Sequence, residues 1–126
     1  ALCDHAHPLT DALLRALAKN GGVAQLCLLD AYINKNPKAA SVCDAAEHLD
    51  HMIKVAGIDH VGIGTDFDGG GGLQGCNGDN DLINLTIKMI EKGYTEEDLR
   101  KIWGGNLLRV MKQVQEAPLL SSKKRR

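Results

Sequence analysis

A chain of 126 residues makes one domain at most, or a piece of a larger one. With 44% hydrophobic and 25% charged residues and no apolar run of bilayer length, it has the composition of an ordinary globular protein. The formal net charge is −1, although the terminal sequence KKRR holds four of the fifteen basic residues. Nothing else in the chain is basic enough to support nucleic-acid binding, and we expect residues 118–126 to be a disordered basic tail.

The four cysteines show neither a C-x-x-C spacing nor a dense framework, so we interpret them as free thiols: Cys3, Cys27, Cys43 and Cys76. This pattern favours neither a zinc ribbon nor a disulfide scaffold, and it leaves the cellular compartment open.

The first two predicted elements are a helix and a strand. Thr10 is suited to cap a helix that runs to about Asn20, and three leucines share one face of it: Leu13, Leu14 and Leu17. The nearly unbroken apolar run VAQLCLLD, residues 23–30, predicts a strand that is buried on both faces, as in a parallel sheet.

A second helix and a second strand follow in the same order. Ser41 and Asp44 form a capping box for a helix that runs to about Ala56. Its apolar stripe comprises Val42, Ala45, Leu49, Met52, Ile53 and Ala56. The segment HVGIGTDF, from residue 60, then predicts another strand.

Three helices complete the predicted order. The segment DLINLTIKMIEKG indicates a helix whose inward face carries Ile83, Ile87 and Ile90. YTEEDLRKIW indicates a second helix, capped by Thr95, and Gly104–Gly105 separates it from a last helix that Pro118 ends.

Two strands joined through a helix are expected to be parallel. Because two parallel strands cannot cover their own faces and edges, the order favours part of a larger α/β unit, either a barrel or an open sheet. We therefore expect this chain to be poorly stable on its own.

The stretch HVGIGTDFDGGGG, residues 60–72, places two carboxylates where a parallel strand should end. Ligands of parallel α/β proteins bind beyond the carboxyl ends of the strands, so Asp66 is a candidate site residue. Nine of the fourteen glycines lie between residues 57 and 78 and would let backbone approach a ligand, or they form a flexible turn hinged at Asp68. The pattern lacks the glutamate of an EF-hand, the lysine of a P-loop and a G-x-S-x-G elbow.

The histidines are weaker candidates. His48 and His51 have a spacing that could bind a metal on a helix, but the helical phase favours a surface position for both. His60 precedes the strand and is expected to be structural, whereas His5 and His7 lie in the opening loop and could point at a site.

Four blocks in order resemble the C-terminal part of the membrane (renal) dipeptidase family, especially its bacterial members. They are CDHAHPLTDALLRALAKNGGVAQL, AAEHLDHMIKVAG, GIDHVGIGTDFDGGGGLQGC and KGYTEEDLRKIWGGNLLRVMKQV. The resemblance covers residues 1 to about 116 and implies the last two strands, with their helices, of a TIM-like (β/α)8 barrel in residues 1–117. It further implies a dipeptide substrate, two zinc ions whose ligands all lie upstream of residue 1, and a homodimer when the barrel is complete.

The resemblance implies that residues of this chain contact the substrate and transfer a proton, whereas the metal ligands lie elsewhere. Asp66 matches an aspartate on the eighth strand that takes a proton from the attacking water and passes it to the leaving amine. Asp68 is interpreted as a turn residue or as a residue that holds Asp66 in place. At the family's substrate-binding arginine this sequence has His7, followed by Pro8, so His7 makes a weaker contact with the substrate carboxylate or none.

The sequence is also compatible with two other classes of protein. One is a catalytically silent interaction or structural module that retains the dipeptidase fold, which the missing arginine favours. The other is a metal-independent α/β binding protein. Retention of Asp66 and of the glycine-rich loop favours the enzyme.

Overall fold

The computed structural model describes residues 9–117, so the predicted tail and the opening loop with His5 and His7 lie outside the described residues. Its helices and strands are α1 (Asp11–Lys19), β1 (Ala24–Leu26), α2 (Asp30–Ile33), α3 (Val42–Ala56), β2 (Val61–Ile63), α4 (Leu82–Glu91), α5 (Glu96–Arg100) and α6 (Asn106–Glu116). Short 3₁₀ turns occupy Pro37–Ala39, Ile58–His60, Phe67–Gly69 and Asp79–Asp81. No helix of this part of the chain combines the length and apolarity needed to cross a membrane.

The two strands pair in parallel, as predicted, with Ala24 opposite Val61 and Leu26 opposite Ile63. Both strands are shorter than the sequence indicated, but the segments that follow them remain hydrogen-bonded to each other. The amide of Leu28 donates to the Thr65 carbonyl at 3.2 Å, and the Leu28 carbonyl accepts from a later amide at 2.9 Å. The two strand ends are therefore fixed against each other.

Only one face of β1 is buried among the described residues, so the prediction of a strand buried on both faces is wrong for this part of the chain. Ala24, Leu26 and Leu28 are 4%, 6% and 0% exposed, whereas Gln25 is exposed and Cys27 is half-buried. The helices cover the first face, and the polar side chain of Gln25 lies on the other.

Helix α3 packs against both α1 and α4, and it forms as predicted. The Ser41 hydroxyl accepts from the Asp44 amide, and the Asp44 carboxylate accepts from the Ser41 amide at 3.0 Å. Its buried stripe comprises Val42, Ala45, Ala46, Leu49, Ile53 and Ala56. Thr10 and Thr95 cap α1 and α5 as expected, since both side chains accept from backbone amides.

The predicted inward face of α4 is wrong. Leu85 and Met89 are the buried side chains, at 0% and 1% exposure, and the three isoleucines are exposed: Ile83 57%, Ile87 44% and Ile90 55%. Both sets have helical spacing, and contact with α3 selects the first. For the same reason Leu14 is buried on α1, whereas Leu13 is exposed.

The chain is kinked rather than broken at Gly104. A π-helical segment, Lys101–Gly105, continues α5 into α6, with a non-helical backbone at Gly104 only. Just after the kink, the buried amide of Asn106 donates to the carbonyls of Ile58 and Val61, at 2.7 and 2.8 Å. This side chain ties α6 to the amino end of β2.

A hydrogen bond joins the start of the C-terminal helices to α3. The Tyr94 hydroxyl donates to Asp50 Oδ1 at 2.7 Å, and Lys54 lies 2.6 Å from Asp50 Oδ2. Burial and the neighbouring Asp50 carboxylate raise the pKa of Tyr94 well above its usual value. Tyr94 therefore keeps its proton in the folded state at a pH where the unfolded chain releases it.

We expect Tyr94→Phe to lower the free energy of unfolding at pH 7 by roughly 1.5–3 kcal/mol, the usual range for a hydrogen bond to a charged group. Because the folded-state pKa is raised, this contribution is fully present below the unfolded tyrosine pKa of about 10 and is lost as pH rises toward the folded value. Urea denaturation of the complete protein should show the difference shrinking above that pH. Tyr32→Phe, at a tyrosine that is 38% exposed, is the control, and equal effects of the two changes would contradict the assignment.

Candidate functional site

Two side chains that are distant in sequence meet at the carboxyl ends of the parallel strands. Asp66 follows β2 and is exposed, and Cys27 follows β1 and is half-buried. The Cys27 sulfur lies 3.5 Å from Asp66 Oδ2. The predicted position of Asp66 at a strand end is thus where the structure places it, and Cys27 is its side-chain neighbour.

The backbone of Asp66 is held in an unusual conformation. Its φ of 61° and ψ of 29° are left-handed, and among residues 9–117 it is the only non-glycine with positive φ. Such a conformation costs about 1–3 kcal/mol and persists when the surroundings impose it. Here the Asp66 carbonyl accepts from the amides of Gly69 and Gly71, at 2.9 and 2.7 Å. The tight turn therefore holds the Asp66 main chain in this conformation.

Two of the glycines in this turn are required for steric reasons. A Cβ atom at Gly69 would clash with Asp66 Oδ1. One at Gly71 would clash with the Thr65 carbonyl and lie 2.7 Å from the Asp66 carbonyl oxygen. The four-glycine run therefore forms a hydrogen-bonded turn around Asp66, in place of the flexible hinge that was the alternative from sequence.

The glycines inside the second strand accommodate a side chain of the first. The Gln25 amide donates to the Ile63 carbonyl at 3.2 Å, so the Gln25 side chain crosses the strand pair. A Cβ at Gly64 would lie 3.0 Å from Gln25 Cβ, and one at Gly62 would lie 3.5 Å from Gln25 Cγ. The space left by the missing side chains of Gly62 and Gly64 is thus used by Gln25.

Asp68 lies in the exposed 3₁₀ turn Phe67–Gly69. The hydrogen bonds that hold Asp66 come from the backbone amides of Gly69 and Gly71, and within residues 9–117 none comes from the Asp68 side chain. Asp68 therefore has the place in the turn that was one of its two expected roles, and the glycine amides hold the Asp66 main chain.

The three described histidines each have a partner away from the carboxyl ends of the strands. His48 Nε2 lies 2.9 Å from the Ile33 carbonyl, His51 Nε2 lies 2.8 Å from Asp11 Oδ1, and His60 Nδ1 lies 2.8 Å from a backbone carbonyl. Burial lowers the pKa of His48, which favours its neutral form. Across residues 9–117 no three His, Cys, Asp or Glu side chains come close enough to hold a metal ion. The described residues therefore do not fit a metal centre by themselves.

Cys27 is the site residue that sequence reasoning missed. It lies within the apolar run of the first strand, where a cysteine is usually an inert core residue. Burial raises the pKa of its thiol, and the Asp66 carboxylate raises it further. One sequence feature indicated its position: successive side chains of a strand point to opposite faces, so Cys27 lies on the face opposite the buried Leu26 and Leu28.

The chain thus has a mixed α/β fold, and its candidate site lies at the carboxyl ends of the two parallel strands, around Asp66. The sequence model described as "Membrane dipeptidase (Peptidase family M19)" matches residues 1–125. The chain therefore belongs to the membrane dipeptidase family, as the sequence blocks indicated.

The relatives found by sequence are named as dipeptidases. The chain is 35% identical over 117 residues to dipeptidase aclJ of Aspergillus oryzae, which covers 91% of this chain and 28% of that protein. It is 39% identical over 126 residues to an uncharacterized dipeptidase of Schizosaccharomyces pombe, covering 98% of this chain and 30% of that protein. The chain thus spans less than a third of the length of these relatives.

Solved structures share the fold of the chain. A metallo peptidase from Rhodobacter sphaeroides, liganded with a phosphinate mimic of the dipeptide L-Ala-D-Ala, has a TM-score of 0.82 and 28% identity, over 88% of this chain and 32% of that one. The probable dipeptidase PvdM from Pseudomonas aeruginosa has a TM-score of 0.85 over 90% of this chain and 42% of that one; at 24% identity it supports the fold alone.

Proposed function

We propose that residues 1–117 are the C-terminal part of one barrel domain of a zinc-dependent dipeptidase, and that residues 118–126 are a basic tail. β1 and β2 would be the last two strands of a TIM-like (β/α)8 barrel. Two observations support this proposal: a two-stranded parallel sheet leaves a face and both edges uncovered, and the relatives are more than three times as long as the matched segment.

The observation that carries the proposal is the constrained carboxylate of Asp66 in a chain of this family. It is exposed at the carboxyl ends of parallel strands, where α/β enzymes bind substrates. The substrate class is a dipeptide, since the relatives are named dipeptidases and one solved relative holds a dipeptide mimic.

Asp66 is proposed to move one proton. When water adds to the carbonyl carbon of the peptide bond, the ionised carboxylate accepts a proton from that water. The carboxylic acid then gives the proton to the nitrogen as the carbon–nitrogen bond breaks, so an amine leaves and Asp66 is ionised again. Two zinc ions, bound by residues upstream of this chain, would supply an activated water and a polarised carbonyl.

The remaining proposals rest on the resemblance. His7 would contact the carboxylate of the dipeptide weakly, or it would take no part, because an imidazole lacks the two-pronged geometry of arginine. The complete protein would be a homodimer, and the upstream strands would close the barrel against β2.

Chelation of the complete protein tests the proposed activity. We expect it to hydrolyse dipeptides, to lose nearly all of that turnover after treatment with EDTA, and to regain it when zinc is added. Metal content by mass spectrometry should fall and recover in parallel. Folded protein that holds no zinc and hydrolyses no dipeptide would instead support the silent module.

A further inference from the structure

We propose that Cys27 is a positioning residue for Asp66: its S–H group donates a hydrogen bond to Oδ2 and fixes the direction of the carboxylate. This inference rests on the proposed function, because the direction of the carboxylate matters only if Asp66 transfers the proton. It adds to the site a residue from the neighbouring strand.

The geometry allows one direction for this hydrogen bond. The Cys27 sulfur is 3.5 Å from Asp66 Oδ2, which is within reach of a sulfur donor. An ionised carboxylate can only accept, so the thiol supplies the hydrogen. The main chain at Cys27 is fixed, because Leu26 and Leu28 on either side are buried and both are hydrogen-bonded to the segment that follows β2.

The contact distinguishes the two carboxylate oxygens. Oδ2 faces Cys27, and Oδ1 lies beside Gly69, where a side chain would clash with it. Within residues 9–117 no group donates a hydrogen bond to Oδ1. Oδ1 is therefore the oxygen left to exchange a proton with water and amine, while Oδ2 is held.

The surroundings of Cys27 keep its thiol in the donating form. Burial raises the pKa of the thiol, and the hydrogen bond and negative charge of Asp66 raise it further, although a hydrogen bond from the Leu29 backbone acts in the opposite direction. A thiol with a raised pKa retains its proton at neutral pH and is a poor nucleophile. The position thus favours hydrogen bonding over thiolate chemistry.

Alkylation kinetics of the complete protein test the contact without measuring activity. Iodoacetamide labelling is followed as a function of pH, residue by residue, by peptide mass spectrometry. In Asp66→Asn we expect the labelling profile of Cys27 to shift to lower pH, since a neighbouring negative charge disfavours the thiolate. Cys43, an exposed thiol on α3, is the internal control and should not shift. An unchanged Cys27 profile would overturn the proposal.

Kinetics of Cys27→Ala provide the second measurement. Loss of the donor removes the side-chain hydrogen bond that orients the Asp66 carboxylate. We expect kcat to fall about 5- to 10-fold with KM little changed. A carboxylate at Asp66 that is no longer oriented provides only part of the rate acceleration that a general acid–base group usually gives. Cys43→Ala should leave both unchanged. A Cys27→Ala enzyme with the parent kcat would count against the positioning role.

The two proposals fail in different ways. Full turnover by Asp66→Asn would remove the assigned proton transfer and, with it, the reason to orient the carboxylate. An inactive Asp66→Asn enzyme with an unshifted Cys27 labelling profile would retain the proton transfer and remove only the role of Cys27.

Discussion

Asp66→Asn in the complete enzyme is expected to lower kcat by about 10²-fold or more, the usual range for loss of a general acid–base group. Asparagine has the same shape as aspartate and tolerates the left-handed backbone, so the turn around residue 66 should be retained. The amide cannot accept a proton from water and return it to the amine. The fall should therefore appear in kcat more than in KM.

Asp68→Asn is the matched control for this change. It makes the same substitution two residues along the chain, at an exposed aspartate outside the hydrogen bonds that hold Asp66. Initial rates with a dipeptide should stay within about 3-fold of the parent, as expected for a surface change that leaves the fold intact. Equal losses in the two variants, or full activity of Asp66→Asn, would contradict the role given to Asp66.

Gly71→Ala is expected to have the second large effect, on both stability and turnover. The new Cβ would clash with the Thr65 carbonyl and lie 2.7 Å from the Asp66 carbonyl oxygen. Both neighbours are backbone atoms of the strand end, so the main chain itself must shift. We expect a loss of roughly 1–3 kcal/mol in the free energy of unfolding, typical of an overpacked site. The shift should also displace the Asp66 carboxylate and lower kcat.

Gly78→Ala separates the steric effect from a general intolerance of alanine in this loop. Gly78 has an extended backbone with a φ of −177°, and nothing lies within 4 Å of the position of its Cβ. Urea denaturation should show a change of at most about 0.5 kcal/mol there, as at an ordinary surface position. A Gly71→Ala protein as stable and as active as Gly78→Ala would show that the turn can widen without loss.

Local features of this fold could be predicted from the sequence. The caps at Thr10, Ser41 and Thr95 each depend on a side chain and an amide three residues apart, so a few residues contain the whole interaction. The parallel pairing followed from the order of elements, because strands joined through a helix have little alternative.

The choice between two apolar faces could not be predicted. In α4, Leu85 with Met89 and Ile83 with Ile87 have the same four-residue spacing, so periodicity indicates two stripes without saying which one meets α3. The strand lengths were overestimated for a related reason. An apolar run predicts burial, which continues to Leu28, whereas the regular strand ends at Leu26 although single hydrogen bonds to the neighbouring segment continue to Leu28.

The candidate site was predictable in part. Asp66 stands where a parallel strand should end, and that rule needs no knowledge of side-chain contacts. Its left-handed backbone and its contact with Cys27 could not be foreseen, because the second depends on the pairing register of residues 39 positions apart. In the sequence, Cys27 belongs to an apolar run and has no feature that marks it as polar in function.

The hydrogen bonds of the glycine turn limit how far the Asp66 carboxylate can move. The Asp66 carbonyl accepts hydrogen bonds from two amides, and the amide of Gly72 donates to the Leu28 carbonyl. The main chain of this turn is therefore held in one conformation. The position of the carboxylate is then set by the two torsions of its own side chain, and the contact of Oδ2 with Cys27 limits these torsions as well. A group that exchanges a proton with Asp66 must therefore come to the carboxylate, because the fold leaves the carboxylate little freedom to move toward it.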